Sequence, residues 1–232
     1  MSPPGRRRAR PTAVYLESGT KRVFACAVDW PGWARAGKGE EAALEALATY
    51  ASRYASVAAE AGMAFPPASA GSFDVGSFDV VERVPGSATT DFGAPGAVPS
   101  LDRRPLAAAE ADRQVALVAA AWALFDRVAA GAPAELRKGP RGGGRDRDAI
   151  VEHVRSAEVA YVRKLGLRSP AKPDPADAEA VAAMRIAVLD ALGATGSEAP
   201  SETAWPRRYA ARRIAWHALD HAWEIEDRSP PA

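Results

Sequence analysis

Side chains that bind metals or undergo redox chemistry are scarce in this chain. Cys26 is its only cysteine, and histidine occurs three times in 232 residues. One cysteine excludes an internal disulfide and suits a reducing cytoplasm, the expected location. Cys26 lies in the apolar stretch 23–28 and reads as a small buried hydrophobe rather than a nucleophile. An excess of one charge is also missing. The chain carries +1 overall, with ten Lys/Arg against ten Asp/Glu in residues 1–100 and twenty against nineteen in the rest. Neither half has the positive surplus that phosphate backbones attract, so no nucleic-acid partner is expected. No uninterrupted apolar run approaches the roughly 18–20 residues of a membrane span, and no membrane partner is expected. The basic cluster Arg6, Arg7, Arg8 and Arg10 has no apolar core after it, which argues against a secretion signal.

The remaining composition is that of an ordinary globular protein. Hydrophobic residues make up 47% and charged residues 25%, enough apolar material to argue against wholesale disorder. The Ala- and Arg-rich usage, with arginine far outnumbering lysine, is that of a high-GC bacterial genome. Residues 1–11 read as a disordered basic tail. Residues 12–85 mix strand and helix: 12–18 and 21–30 read as a hairpin joined at Gly19-Thr20 and stopped by Pro31-Gly32. An amphipathic helix is expected over 38–62, with Glu40 and Glu41 in its first turn and Gly62 at its end. A third strand is expected at 78–84. Four prolines and three glycines from Pro85 to Pro105 mark 86–104 as a linker or an extended surface segment. GSFDVGSFDV at 71–80 is a single duplication, too short for a repeat architecture. Residues 105–228 read as four helices, beginning near Pro105, at Asp146 or Asp148, near 175, and near Trp205-Pro206. Their lengths and modest loops favour an antiparallel four-helix bundle. The expected fold class is α+β, a small β-β-α-β domain followed by that bundle.

The strongest chemical signal is WHALDHAWEIEDR at 216–228. His217 and His221 are four residues apart, which on a helix puts both rings on one face, one turn apart. His153 lies on the second expected helix, between Ile150 and Val154. A pair of histidines at this spacing also arises by chance on apolar faces. Here, however, every histidine of the chain falls on two helices that a bundle can bring together. Three imidazoles leave a coordination position open, as catalytic metal sites do, and imidazole accepts zinc, nickel, copper or iron(II). Glu224, three residues after His221 on the same stripe, can accept a proton or orient a ligand; an ion pair with Arg228 at i+4 is the competing role. Asp220 is rotated off the stripe. Glu158 lies five residues after His153 and is expected to face elsewhere. Trp216 and Trp223 are expected to pack the helices. Arg212 and Arg213 are expected on a solvated face, with contact to an anionic substrate as the alternative.

The order of the helices, a histidine in the second (EHVRSAEVAYVRKLG) and HxxxH in the fourth resemble the DinB/YfiT-like superfamily over about residues 105–228. The resemblance matches His153 to the first ligand position and His217 and His221 to the second and third. It implies a divalent metal, zinc or nickel, with water at the remaining positions. It also implies, from actinobacterial members, a thiol-dependent S-transferase or isomerase using a low-molecular-weight thiol such as mycothiol, acting on a small-molecule substrate. More weakly, FACAVDWPGWARAGKGEEAALEAL at 24–47 resembles HicB-type antitoxin domains. That resemblance implies a partner-binding α+β layer, here without a DNA-binding appendage, and leaves homodimerisation or a lid as its role. Two classes of function are therefore expected: a metal-dependent thiol enzyme, or a non-catalytic interaction and regulatory module fused to a helical bundle.

Overall fold

The computed structural model describes residues 10–66, 73–139, 143–168, 174, 176–195 and 204–230. Most of the basic tail and part of the GSFDVGSFDV duplication lie outside them. The fold is mixed α+β, a four-stranded sheet followed by helices. It divides into two compact units, Met1–Asp29 with Trp33–Pro99, and Ser100–Ala232 with Trp30–Gly32.

In the first unit, β1 (Thr12–Ser18) and β2 (Val23–Ala27) form the expected antiparallel hairpin, with Val14 opposite Ala27 and Ser18 opposite Val23. β4 (Phe78–Pro85) adds to the other side of β1 in parallel. A parallel neighbour needs a long crossover, and α1 (Glu40–Thr49) with α2 (Ala51–Glu60) lies within it. Two elements depart from the sequence reading. The helix expected as one piece is broken at Tyr50, which leaves the helical backbone with its N–H bonded to the Leu47 carbonyl at 3.2 Å. A further strand, β3 (Ala34–Gly37), pairs antiparallel with β2 and makes the order β3-β2-β1-β4. Its residues are poor strand formers, so its pairing is set by tertiary context: the Ala27 N–H donates to the Trp33 carbonyl at 2.9 Å and returns the chain to β2. A methyl group on Gly37 would meet the Ala43 backbone nitrogen at 2.3 Å, so only glycine lets β3 run this close to α1.

The core of this unit is aromatic. Trp33 is fully buried, stacks on Tyr54 at 5.6 Å between centroids, and meets Phe65 and Phe78 edge-on at 5.0 and 5.6 Å. Each such pair adds about 0.5–1.5 kcal/mol beyond area burial, and the indole N–H is satisfied by the Leu47 carbonyl at 2.9 Å. Cys26 is buried at 2% exposure.

The stretch 86–104 holds more structure than its composition indicates. It contains α3 (Ala88–Phe92) and a 3-10 turn at Ser100–Arg103. Glu17, on β1 and 0% exposed, anchors its first part: the Thr90 hydroxyl donates to it at 2.5 Å, and the Gly96 and Ala97 amides donate at 2.8 and 3.0 Å. A buried carboxylate is tolerable only with donors of this kind.

The second unit holds four long helices, α4 (Ala108–Gly131), α5 (Arg147–Lys164), α6 (Ala178–Gly193) and α7 (Arg207–Arg228). The expected starts and ends agree with these bounds to within a few residues. Gly166, at φ 75°, ends α5, and the Leu167 N–H returns to the Val162 carbonyl. α7 packs against α4, α5 and α6. It is accordingly buried nearly all round, from Tyr209 and Ala210 to Trp223 and Ile225, as a central helix must be. α4 is the one helix among the described residues long and apolar enough, by length and composition, to cross a membrane. Its Leu117, Val118 and Phe125 are buried, and it packs on α7 and α6.

On α6 the hydrophobic residues are not all buried. Ile186 is 60% exposed, whereas Arg185 is buried at 9%. The guanidinium of Arg185 grips Glu158 of α5 through two bonds, at 3.0 and 2.9 Å, and Asp126 of α4 at 2.6 Å. Glu158 therefore faces away from His153, as its spacing indicated, and joins three helices in one buried ionic node.

Candidate metal centre

α5 and α7 bring the three histidines together. Nε2 of His153 and Nε2 of His217 are 3.2 Å apart. The ring of His221 lies 5.0 Å from that of His153 and 4.8 Å from that of His217. One potential ligand atom from each ring fits within a span of 4.8 Å. Two nitrogens bound tetrahedrally to one ion at about 2.05 Å would stand about 3.3 Å apart. The observed approach of His153 and His217 matches that separation.

The surroundings of His153 and His217 favour the form a metal needs. His217 is 7% exposed. Burial holds its imidazole well below the ordinary histidine range, and electrostatic interactions with its neighbours, Arg213 and Arg145 among them, add to the effect. Burial lowers His153 as well, followed by His221 and Arg145, with Glu224 opposing. Neutral imidazole is the ligating form. His221 is oriented from behind: its Nδ1 is 2.8 Å from Oε2 of Glu224. With the proton on Nδ1, donated to the carboxylate, Nε2 is left as the donor atom. The other oxygen of Glu224 accepts from Nη1 of Arg228 at 2.7 Å. The hydrogen bond from His221, then the Arg228 pair, holds the Glu224 carboxyl below its ordinary range. Glu224 thus bonds His221 through one oxygen and Arg228, the expected ion-pair partner, through the other, and stands behind His221 rather than in the histidine cluster.

The other residues singled out in the sequence separate cleanly. Trp216 and Trp223 are buried at 5% and 1% and pack the helices. Asp220 is partly buried. Arg212 is not on a solvated face: it is 6% exposed and ion-paired with Asp102, itself 3% exposed. Arg213 is half-buried, with its guanidinium carbon 4.7 Å from the Trp216 ring centre. Tyr161 was missed. It is 8% exposed, its ring is 5.9 Å from that of His217, and it packs against Trp205 at 5.3 Å. The signal was present, since Tyr161 lies eight residues after His153 and so on the same helical stripe.

The lowered imidazoles predict an acid-sensitive metal-free state. Unfolded histidines titrate near 6.5. The folded values of His153 and His217 lie lower, so the unfolded chain takes up protons first as pH falls. Their contribution to stability is complete above about 6.5 and drains away as pH falls toward the folded values. Thermal unfolding in chelator should show a loss of up to about 2 kcal/mol per imidazole between pH 6.5 and 5. The loss should be smaller in His217→Gln. Equal pH dependence in the two proteins would refute this account.

Comparisons with protein-family models, with curated proteins and with solved structures return no match for this chain.

Proposed function

We propose that the second unit is an antiparallel four-helix bundle of the DinB-like type, which holds one divalent metal, zinc or nickel, through His153, His217 and His221. The proposed activity is a metal-dependent reaction of a low-molecular-weight thiol with a small-molecule electrophile. The observation that carries this reading is the meeting of three largely buried imidazoles at one point, with a carboxylate bonded to the third. Three protein ligands leave room for an exogenous one. A metal there would supply Lewis acidity, lowering the pKa of a coordinated thiol or water. The chain itself supplies orientation and a dry setting. Glu224 positions His221, while Tyr161 and Trp216 shield His217 from bulk solvent. The first unit, in keeping with its HicB-like resemblance, is assigned an accessory role in homodimerisation.

Metal analysis of the purified protein tests this directly. About one zinc or nickel per chain is expected. In a cobalt-substituted form, 2-mercaptoethanol should shift the visible absorption of the ion. A protein that purifies without metal, refuses cobalt and carries a co-purifying polypeptide would instead support the interaction-module reading.

A further inference from the structure

One cation close to the three histidines has a nitrogen that is not satisfied by the protein. Arg213 lies one turn before His217 and two turns before His221 on α7, so its side chain leaves the helix on the ligand face. Its Nη1 is buried and has no hydrogen-bond partner. Among the described residues no carboxylate pairs with it: Asp102 is taken by Arg212, Glu158 by Arg185, and Glu224 by His221 and Arg228. A buried guanidinium nitrogen with nothing to bond is costly and calls for an explanation. Arg145, on the exposed loop before α5, is close enough to act electrostatically on both His153 and His217. Tyr161 stands against the His217 ring, packs on Trp205 and lies within electrostatic reach of Arg213.

From the buried, unbonded Nη1 of Arg213, one turn from His217 and with aromatic side chains nearby, we infer that the site takes a small organic carboxylate, whose anionic group Arg213 binds. Arginine is suited to this, because its planar fork matches a carboxylate and gives charge-assisted bonds. Arg145 contributes long-range attraction at the mouth, and the aromatic side chains accept the apolar body of the ligand. The inference names the substrate class of the centre proposed above and rests on that reading for its catalytic meaning, although Arg213 can bind a carboxylate without any ion present.

The test uses the full-length, chelator-treated protein, with benzoate and its neutral isostere benzamide as probes followed by tryptophan fluorescence. Benzoate should bind at least about tenfold more tightly than benzamide. The preference should vanish in Arg213→Gln, persist in part in Arg213→Lys, and weaken several-fold in Arg145→Gln. Equal binding of the two probes by the wild type, or an undiminished preference in a folded Arg213→Gln protein, would overturn the inference. Should Arg213→Gln fail to fold, Arg213→Lys decides: a preference matching the wild type in both size and salt dependence would remove the case for a fork-shaped contact. Cobalt uptake, measured separately on the same wild-type preparation, reports on the metal reading alone, so each can fail without the other.

Discussion

His217→Ala should abolish stoichiometric metal uptake. His217 is the middle member of the set, with its ring 5.1 Å from His153 and 4.8 Å from His221, and the most completely buried. Structural zinc sites with four ligands bind with about 10–16 kcal/mol, so one ligand carries of the order of 3 kcal/mol, a factor of about 100–1,000 in affinity. Glu224→Gln, which disturbs only the residue that orients His221, should cost less, about 10–100-fold. The ranking of the two variants is therefore part of the prediction. A missing imidazole leaves a cavity but removes no charge at neutral pH, so the His217→Ala protein should stay folded, which circular dichroism will establish. Metal analysis after dialysis then gives the answer. A folded His217→Ala protein that keeps one equivalent of metal would mean that the ligand set is wrong.

Arg185→Met should destabilise the second unit by about 3–5 kcal/mol. The substitution keeps most of the apolar volume but leaves Glu158, 3% exposed, without its two charge-assisted bonds. Burial already raises the Glu158 carboxyl above its ordinary range, with Arg185 pulling it back down. Removing the guanidinium leaves only the unfavourable part. At a few degrees per kcal/mol for a unit of this size, the melting temperature should fall by about 10–20 °C. Pairing the change with Glu158→Leu should restore most of the loss, because an apolar pair of similar volume commonly replaces a buried ion pair at no net cost. Asp126, with a side chain 44% exposed, can turn to water in either variant. A single variant within 1 kcal/mol of the wild type would show that the node contributes little to stability.

The parts of this molecule legible in the sequence are those governed by local periodicity and local breakers. The ends of α5 follow from Asp146 and Gly166, and the hairpin β1–β2 from two β-forming runs on either side of Gly19-Thr20. The shared face of His217 and His221 is a consequence of helical spacing alone. What escaped was decided by residues distant in the chain. Ala34–Gly37 becomes a strand because β2 offers it an edge, and Tyr50 divides a helix whose apolar pattern runs on without interruption. Arg185 displaces Ile186 from the core because its two acidic partners lie 27 and 59 residues away. Arg212 is buried by Asp102, 110 positions earlier, whereas its neighbour Arg213 meets no such partner among the described residues. Identical residue types side by side thus acquire opposite roles, which no reading of the local pattern can anticipate.

The Glu17 anchor bears on how the first unit can be cut out for separate expression. Ending such a fragment after β4, where the strands stop, would delete the Thr90 hydroxyl and the Gly96 and Ala97 amides together. The carboxylate would then sit in the sheet interior with its solvating dipoles amputated, and the truncated piece would be expected to aggregate. A boundary at Pro99 retains all three donors, so the proline- and glycine-rich stretch travels with the sheet as part of its folding unit.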